Sequence, residues 1–461
     1  MDSFDLIIIG SGSGNAIPEE FADWKIALVE RGTFGGTCLN VGCIPSKMFV
    51  LPADLALAAR GSDRLGVDLA FQGADWPAIR DRVFGRIDPI AAGGEEYRAS
   101  GTPNLELIRG TARFTGERVL DVDGRAITAK RILVATGSRA VLPPIPGLAP
   151  GPDQVRVHTS DTIMRLDRLP ERLAIIGGGF IATELGHVFD AYGSRVTLFN
   201  RSDTLLRTGD AEIATRFTEV FGRRIDLRLG QVPDRIEQVG ETLRLHVGGE
   251  VHEADELLVA TGRAPNADLV DAEAGGLAVH PDGRIAVDDT MATSVDGVWA
   301  IGDVSNAYQL KHLANAEAKV AFWNMAHPDR LRSVDYLAVP QAVFSNPQTA
   351  SVGLTVGEAE AAGHRFVIGR RDYGGTAYGW ALEDGDSFAK VIIDAQSGRI
   401  LGAHILGMQA ASLIQPLIQA MQFRQTARAV AEQVFYIHPA LTEVVENALL
   451  DGVAKLDPSV P

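Results

Sequence analysis

Residues 6–15 read LIIIGSGSGN, a buried-strand pattern that runs directly into a glycine-rich turn. Gly10 and Gly12 match the first two positions of a GxGxxG motif, which let the backbone approach a pyrophosphate. The last position holds Asn15, which is small enough to be tolerated there at some cost in packing. The next strand-like run ends at Glu30, where a ribose-binding acid is expected. These features predict a dinucleotide-binding fold, with a glycine-rich hairpin as the alternative.

The same pattern occurs a second time along the chain. A strand-like run leads into the turn GGGFIA at residues 177–182, which fits GxGxxA. The tetrapeptide VATG at residues 134–137 also repeats, at residues 259–262. Two β-α-β units, each with its own glycine-rich turn, predict two Rossmann-like dinucleotide-binding domains in an α/β chain.

The strand after the second turn ends without an acidic residue. Asn200 stands where an NAD site would place Asp or Glu. Arg201 and Arg207 instead offer two guanidinium groups to the 2′-phosphate of NADP. The alternative is a pair of solvated arginines on a loop.

The two cysteines lie in the stretch GGTCLNVGCIPSK, residues 35–47. In a regular helix, positions five apart have Cα atoms about 8–9 Å apart, whereas a disulfide needs less than about 7 Å. If Cys38 and Cys43 bridge, the segment must depart from a regular helix, and Gly42 permits this. Lys47 lies four residues after Cys43 and can favour a thiolate there. A pair of buried free thiols is the other interpretation.

Near the C-terminus, His438 and Glu443 are candidates for general acid–base chemistry. A carboxylate on the second ring nitrogen of a histidine fixes its tautomer and raises its basicity. A structural histidine is the alternative. His404, inside an apolar run, is predicted to be a core residue.

Composition limits the possible classes of protein. The chain has 461 residues, of which 46% are apolar and 22% charged, and this predicts about three globular domains. A net charge of −16 argues against nucleic acid and anionic membranes as partners. No apolar run approaches the roughly 20 residues of a membrane span, and no basic segment precedes the first strand. We therefore expect a cytoplasmic protein, and the ten dispersed histidines predict no metal site.

These motifs together resemble the flavoprotein disulfide reductases, over the whole chain. The resemblance implies FAD on the first domain, NADPH on the second and a C-terminal α+β domain that forms a homodimer with shared active sites. The run 415–421 is then expected to face the other subunit. The implied limits are 1–147 and 266–336 for the FAD-binding domain, 148–265 for the NADPH-binding domain and 337–461 for the interface domain.

The resemblance also assigns roles to individual residues. Cys43 is the thiol nearer the flavin, Cys38 attacks the substrate disulfide, and His438, held by Glu443, manages protons. Lys47 and Glu184 are expected to pair beside the flavin, and Phe180 to gate the coenzyme. The remaining expected cofactor contacts are Gly10, Gly12, Ser13, Gly14, Glu30, Gly36, Thr37, Thr136, Gly137, Gly177, Gly179, Ile181, Asn200, Arg201, Arg207, Gly262, Arg263, Asp303, Leu310 and His312.

Four stretches most resemble the branch of the family that reduces mycothione, the disulfide of mycothiol. They are GSGSGN at 10–15, FGRIDPI at 84–90, YGWA at 378–381 and SLIQPLIQAM at 412–421. NADPH-dependent reduction of mycothione is therefore the expected activity. The alternatives are an NAD-linked dihydrolipoamide dehydrogenase, another small-disulfide reductase such as glutathione reductase and, more distantly, a non-catalytic redox-sensing flavoprotein.

Overall fold

The computed structural model describes residues 1–148 and 156–461. The first unit is an α/β layer structure in which apolar strands lie between helices. Its elements are β1 (Asp2–Ile9), β2 (Ile26–Glu30), α1 (Gly36–Asn40), α2 (Cys43–Arg60), α3 (Trp76–Ser100), β3 (Leu105–Arg109), β4 (Ala112–Gly116), β5 (Val119–Val122), β6 (Arg125–Val134) and β7 (Ser138–Ala140).

The first sheet has the strand order β3-β2-β1-β6-β5-β4. Strands β3, β2, β1 and the adjoining part of β6 are parallel, whereas β4 and β5 join as antiparallel strands. Strand β1 is buried on both faces from Leu6 to Ile9, as its unbroken apolar run predicts. The parallel strands therefore present their carboxyl ends, including the glycine-rich turn, at one edge of the sheet.

The first repeat differs from the predicted β-α-β unit, because no α-helix connects β1 to β2. Only two short 3₁₀ turns, Ser13–Asn15 and Glu19–Phe21, occupy this connection. Pro18 lies between them in an extended conformation and has no N–H to donate to a helix. The prediction of a strand followed by a glycine-rich turn is confirmed, and that of a full helical crossover is wrong.

The second unit repeats the central strand order of the first. Its elements are β8 (Val157–His158), β9 (Arg172–Ile176), α4 (Phe180–Tyr192), β10 (Arg195–Asn200), α5 (Ala211–Phe221), β11 (Asp226–Leu229), β12 (Arg235–Val239), β13 (Thr242–Val247), β14 (Glu250–Ala254) and β15 (Glu256–Val259). Its parallel sheet runs β11-β10-β9-β15-β8. Strands β12, β13 and β14 form a separate antiparallel sheet. Here a true helix, α4, follows the glycine-rich turn.

The chain then returns to the first sheet. Strand β16 (Arg263–Pro265) pairs antiparallel with β7, and β17 (Val298–Ala300) adds parallel to β6. Helix α6 (Lys311–Ala326) follows and packs on the first unit through Ala318, Ala321 and Phe322. Residues more than 250 positions apart in sequence therefore meet at the edge that carries the first glycine-rich turn.

The third unit is a five-stranded antiparallel sheet covered by helices. Its elements are β18 (Pro340–Val343), β19 (Thr349–Gly353), α7 (Val356–Ala361), β20 (Phe366–Asp372), α8 (Ala377–Leu382), β21 (Phe388–Asp394), β22 (Ile400–Leu406), α9 (Ala410–Leu413), α10 (Gln415–Gln422), α11 (Ala427–Gln433) and α12 (Thr442–Val453). The strand order of the sheet is β18-β19-β22-β21-β20. This α+β arrangement agrees with the predicted fold class.

Helix α10 accounts for the apolar character of residues 415–421 within its own chain, and the expectation that this run faces the other subunit stays a prediction. Its apolar residues Leu417, Ala420 and Met421 are buried in the third unit's own core. Exposed apolar side chains lie instead just before His438, where Phe435 is 102% and Ile437 75% exposed. The amphipathic spacing of α10 is that of a helix covering a sheet, which a sequence pattern does not separate from a subunit contact.

One segment, Gly36–Arg60, has the length and hydropathy of a membrane span, contrary to the expectation that no such run exists. It carries both cysteines and Lys47, and it is interrupted between α1 and α2. Its residues Phe49, Val50 and Ala53 pack in a core shared with α3 and α4. Length and apolar composition alone make this weak evidence for a membrane helix, because a core helix passes the same test.

Candidate active site

A large cavity lies where the first glycine-rich turn, the cysteine segment, the start of α4 and the start of α6 meet. Its volume is about 510 Å³. The cavity reaches from the acid at the end of β2 to the two cysteines. A single elongated site thus joins the predicted dinucleotide motif to the predicted redox pair.

Two glycine contacts form a narrow backbone cradle in this cavity. Gly10 has φ +105°, and a Cβ atom there would lie 2.4 Å from the carbonyl oxygen of Ala135. Gly36 has φ +73°, and a Cβ atom there would lie 2.8 Å from Cα of Gly12. Only glycine fits either position without moving backbone. The turn and the start of α1 therefore present bare main chain to the cavity, as a pyrophosphate requires.

Glu30 stands at the end of β2, and its carboxylate holds the turn. Its Oε2 accepts hydrogen bonds from Ser11 N at 2.9 Å and Ser11 Oγ at 2.7 Å. Its Oε1 accepts from Gly32 N at 2.7 Å. Ser11 Oγ in turn accepts from Gly35 N at 2.8 Å. Glu30 therefore fixes the cradle, and it lines the cavity where a ribose-binding acid was predicted.

Two buried polar atoms in the cavity wall have no hydrogen-bond partner among the described residues. They are Oδ1 of Asn40 and Oγ1 of Thr136. A buried polar group left unpaired costs about 1–3 kcal/mol, so these atoms indicate a place for a ligand. With the bare cradle and Glu30, they make the cavity fit the predicted FAD.

Asp303 extends the polar wall of the cavity, in a short 3₁₀ turn after β17. Its Oδ2 accepts a hydrogen bond from Ser138 Oγ at 2.6 Å, and Ser138 Oγ accepts from Arg263 Nε at 2.8 Å. Arg263 also donates to the carbonyl of Ser138 at 2.8 Å. The chain's return segment is thus tied to the first unit at the cavity.

The cysteine segment departs from a regular helix, as predicted for a pair that can bridge. Helix α1 ends at Asn40 and α2 begins at Cys43, with a break at Val41 and Gly42. A Cβ atom on Gly42 would lie 2.9 Å from the carbonyl oxygen of Thr37 and 3.3 Å from Cα of Cys38. Gly42 therefore allows the close approach that brings the two sulfurs together.

The two thiols differ in acidity. They are free and in hydrogen-bonding contact with each other. The hydrogen bond from Cys38, aided by the positive charge of Lys47, lowers the pKa of Cys43 to about 7. The same contact, together with burial, raises the pKa of Cys38. The pair therefore holds one proton more readily on Cys38 and one negative charge more readily on Cys43.

Lys47 and Glu184 form the predicted ion pair. Lys47 Nζ lies 3.0 and 2.8 Å from the two carboxylate oxygens of Glu184, whose side chain is only 5% exposed. Glu184 also accepts from the backbone N of Phe344 at 2.9 Å, and Lys47 lies 4.7 Å from the centre of the Phe344 ring. Side chains from α2, α4 and the segment after β18 thus converge beside Cys43.

The second glycine-rich turn is tightly packed at its first glycine, Gly177, and open at Gly179. A Cβ atom on Gly177 would lie 2.2 Å from the carbonyl oxygen of Ala260, whereas one on Gly179 would meet nothing within 4 Å. Asn200 is buried, and its Nδ2 donates to the carbonyls of Ser202 and Thr204 at 2.9 and 3.0 Å.

The loop that follows Asn200 carries the two predicted phosphate ligands. Arg201 and Arg207 are exposed and form no ion pair with any other described residue. Both guanidinium groups are therefore free to receive an anion. Of the second turn, only the start of α4 lines the large cavity: Phe180, 46% exposed, and Ile181 lie in its wall, whereas residues 177–179 do not.

His438 and Glu443 form the predicted pair, with His438 Nδ1 2.8 Å from Glu443 Oε1. The His438 side chain is 71% exposed and Glu443 15%. Neither residue lines the cavity that holds the cysteines of the same chain. By contrast, His404 is buried and its Nε2 donates to the carbonyl of Leu354 at 3.0 Å, so its core assignment is confirmed.

The cavity collects most of the residues predicted for the flavin and thiol chemistry. Those in its wall are Gly10, Gly12, Ser13, Glu30, Gly36, Thr37, Cys38, Cys43, Lys47, Thr136, Gly137, Phe180, Ile181, Glu184, Arg263 and Asp303. Predicted residues outside its wall are Gly14, Gly177, Gly179, Asn200, Arg201, Arg207, Gly262, Leu310, His312, His438 and Glu443.

At the start of α6 the cavity is lined by residues on either side of those expected. Gln309 and Lys311 lie in the wall, whereas Leu310 and His312 do not. His312 Nε2 instead donates to the carbonyl of Pro340 at 2.9 Å. Sequence reasoning also missed Asn40, although it lies within the quoted cysteine stretch. Its unpaired amide oxygen could be found only from the fold.

Comparison with known proteins agrees with this architecture. The family described as pyridine nucleotide-disulphide oxidoreductase matches residues 4–319, and its dimerisation domain matches residues 339–449. The chain therefore belongs to the flavoprotein pyridine nucleotide-disulphide oxidoreductases. The predictions of an oxidoreductase, of flavin and pyridine nucleotide cofactors and of a dimerisation domain are confirmed at this level.

Individual relatives cover almost the whole chain. It is 49% identical to mycothione reductase of Mycobacterium tuberculosis over 98% of this chain and 99% of the relative. It is 33% identical to dihydrolipoyl dehydrogenase of Chlamydia muridarum over 97% of each. The Cu(II) complex of the HOCl-induced flavoprotein disulfide reductase RclA from Escherichia coli is similar in structure, with a TM-score of 0.85, 26% identity and coverage of 99% and 100%.

Proposed function

We propose that this enzyme reduces mycothione to two molecules of mycothiol with NADPH. The observation that carries the proposal is the asymmetric thiol pair in a cavity continuous with a dinucleotide cradle. The 49% identity to a mycothione reductase supports the choice of substrate, and the unpaired Arg201 and Arg207 support the choice of NADPH.

The cavity wall assigns tasks to the chain's own residues. Bare backbone at Gly10, Gly12 and Gly36 receives the pyrophosphate of FAD, and Glu30 receives its ribose. When bound, FAD carries two electrons from the coenzyme to the cysteine pair. Lys47, oriented by Glu184, provides a fixed positive charge beside Cys43. Phe180 covers the entry from the coenzyme domain.

The thiol chemistry then proceeds by exchange. Two electrons and one proton open the Cys38–Cys43 disulfide and leave Cys38 as the thiol and Cys43 as the thiolate. Cys38 loses its proton and attacks one sulfur of mycothione, which forms a mixed disulfide and releases one mycothiol. The Cys43 thiolate next attacks the sulfur of Cys38, which restores the disulfide and releases the second mycothiol as a thiolate that takes a proton from solvent. His438, oriented by Glu443, takes the proton from Cys38 and returns it to the leaving thiolate.

Initial rates test the assignment of substrate and coenzyme. The purified holoenzyme is assayed with NADPH and NADH against mycothione, glutathione disulfide and lipoamide. We expect saturable turnover of mycothione with NADPH, and slow or no turnover of the other disulfides. Turnover of lipoamide with NADH, and none of mycothione, would identify a dihydrolipoamide dehydrogenase instead. No turnover of any disulfide would favour a binding protein.

We further propose that His438 acts in the active site of the partner subunit. This is supported by its exposure, its position outside its own chain's cavity and the neighbouring exposed Phe435 and Ile437. A positioned base contributes about 10²–10⁴-fold to rate, so His438→Ala and Cys43→Ser should each be nearly inactive.

A mixed dimer of these two variants distinguishes the arrangements. If sites are shared across a two-fold axis, one site of the heterodimer has intact cysteines from one chain and an intact His438 from the other. Purified heterodimers should then regain about half of wild-type activity. Heterodimers that stay as inactive as both parents would show that His438 acts within its own chain.

The remaining assignments follow from the same proposal. The FAD-binding domain comprises 1–147 and 266–336, the NADPH-binding domain 148–265 and the interface domain 337–461. With a net charge of −16, we propose a cytoplasmic enzyme whose partners are a small disulfide and a second copy of the chain, and neither nucleic acid nor a membrane.

A further inference from the structure

Lys311, the first residue of α6, lines the same cavity as the two cysteines. Its Nζ donates to Ser13 Oγ at 3.0 Å, and Ser13 Oγ donates to Asn315 Oδ1 at 3.1 Å. No carboxylate among the described residues lies within ion-pair distance of Lys311. This side chain is therefore held in place by neutral partners, and no acidic side chain of the described residues pairs with it.

Different charged side chains affect the ionisation of the two cysteines. Lys47 on α2 favours the Cys43 thiolate, but Glu184 on α4 binds Lys47 and opposes that effect. Around Cys38, burial and the neighbouring Cys43 both disfavour a thiolate, and Lys311 on α6 is the charged side chain that favours it. Within the cavity that both lysines line, Lys47 thus favours the thiolate of Cys43, and Lys311 favours that of Cys38.

We propose that Lys311 favours Cys38 as the attacking thiolate, so that it is a positioning residue for the exchange step with substrate. The proposal rests on the proposed function in that Cys38 is the thiol that attacks. The step itself is unchanged: Cys38 loses its proton, its sulfur bonds to one substrate sulfur, and the other substrate sulfur leaves. Lys311 raises the fraction of Cys38 that is ionised when the substrate arrives.

The size of the effect follows from thiol reactivity. If loss of the charge raises the apparent pKa of Cys38 by about one unit, the thiolate fraction falls about tenfold. The remaining thiolate is about threefold more nucleophilic, because nucleophilicity rises with pKa with a coefficient of about 0.4–0.5. The net loss below that pKa is therefore about three- to fourfold.

The test measures alkylation of Cys38 by iodoacetamide in the NADPH-reduced holoenzyme across pH, with modified peptides resolved by mass spectrometry. Lys311→Gln removes the charge and keeps a donor for Ser13, whereas Lys311→Arg keeps the charge. Lys319→Gln removes an exposed lysine from the same helix and is the matched control. Flavin absorbance before reduction reports cofactor retention, and the long-wavelength absorbance of the reduced enzyme reports the Cys43 thiolate.

We expect Lys311→Gln to shift the Cys38 profile upward by about one pH unit and to slow alkylation at neutral pH three- to fourfold. Lys311→Arg should restore the wild-type profile, and Lys319→Gln should not change it. An unchanged profile in Lys311→Gln would overturn the proposal. Loss of flavin from Lys311→Gln would also overturn it, since the charge would then serve the cofactor. Alkylation needs no mycothione, so the result is independent of which disulfide the enzyme turns over.

Discussion

The two dinucleotide folds share a strand order but differ at the end of the second strand. In the first fold this position is Glu30, which accepts three hydrogen bonds from Ser11 and Gly32. In the second fold it is Asn200, which donates two hydrogen bonds to the carbonyls of Ser202 and Thr204. The residue at the end of the second strand is therefore a hydrogen-bond acceptor in the first fold and a hydrogen-bond donor in the second.

This reversal shows that each residue both selects a ligand and holds its own loop. Glu30 keeps the turn closed over bare backbone, and its carboxylate suits a ribose hydroxyl. Asn200 keeps the next loop folded back without adding negative charge, so Arg201 and Arg207 remain exposed beside it. A change of charge at either position would therefore alter the preferred ligand and would also break the hydrogen bonds that hold the loop.

Among the substitutions that test the comparison of the two folds, removal of both arginines of the second fold has the largest expected effect. Hydrogen bonds to a charged phosphate contribute about 1.5–3 kcal/mol each. Arg201→Ala with Arg207→Ala should therefore lower kcat/KM for NADPH at least about a hundredfold, and that for NADH much less. Arg195→Ala, at the other end of β10, is the matched control. Equal losses with both coenzymes would show that these arginines do not bind the phosphate.

In the first fold, Glu30→Gln should weaken retention of FAD about tenfold. A glutamine keeps one acceptor oxygen, but its NH₂ group would face the donors of either Ser11 or Gly32. At least one backbone N–H would then lose its partner, and the cradle would open. The released flavin is measured after gel filtration, with Glu117→Gln, an exposed acid of the same unit, as control. Full retention of FAD would contradict a role for Glu30 in the cradle.

Much of this fold could be predicted because continuous apolar runs mark buried parallel strands. The strand-like run that ends at Glu30 is the observed β2, the run that leads into the second glycine-rich turn is the observed β9, and both turns follow buried strands. The helix break at Gly42 could also be predicted, since a bridge between Cys38 and Cys43 excludes a regular helix. These features depend on local geometry, which neighbouring residues determine.

Other features depend on contacts between distant segments and gave no local signal. Lys311 lines the cavity of the cysteines only because β17 brings the chain back to the first sheet before α6 begins. The apolar face of α10 has the spacing of either a core helix or a subunit contact, and only the fold shows the sheet that lies beneath it. Sequence patterns report which face is apolar but not what covers it.

A smaller effect is expected when the anchor of the second fold is made acidic. Asn200→Asp removes both donated hydrogen bonds and places a carboxylate against two carbonyl oxygens. We expect the thermal midpoint to fall by a few degrees, with no gain in kcat/KM for NADH. Ser202→Asp adds the same charge nearby and keeps both bonds, so it should weaken NADPH binding without this loss of stability. An Asn200→Asp enzyme that prefers NADH at unchanged stability would contradict this prediction. It would show that Asn200 affects the choice of coenzyme but is not needed to hold the loop.

The smallest effect concerns the third position of each turn, Asn15 in the first fold and Ala182 in the second. The close helix–strand contact expected at Asn15 is made by Gly14, where a Cβ atom would lie 2.9 Å from side-chain atoms of Ile8 and Ala135. Asn15 instead accepts a hydrogen bond from Arg98 Nε through Oδ1 at 2.8 Å.

Restoring the family glycine with Asn15→Gly should therefore not stabilise the protein. We expect it to cost about 0.5–1.5 kcal/mol, the value of one hydrogen bond, and to lower the thermal midpoint by about one to three degrees. Ala182→Gly should lower the midpoint similarly, but because glycine is unfavourable inside α4 by about 0.5–1 kcal/mol. A higher midpoint or tighter flavin binding in Asn15→Gly would mean that Asn15 hinders packing. The hydrogen bond with Arg98 would then not explain why the first turn has an asparagine at this position.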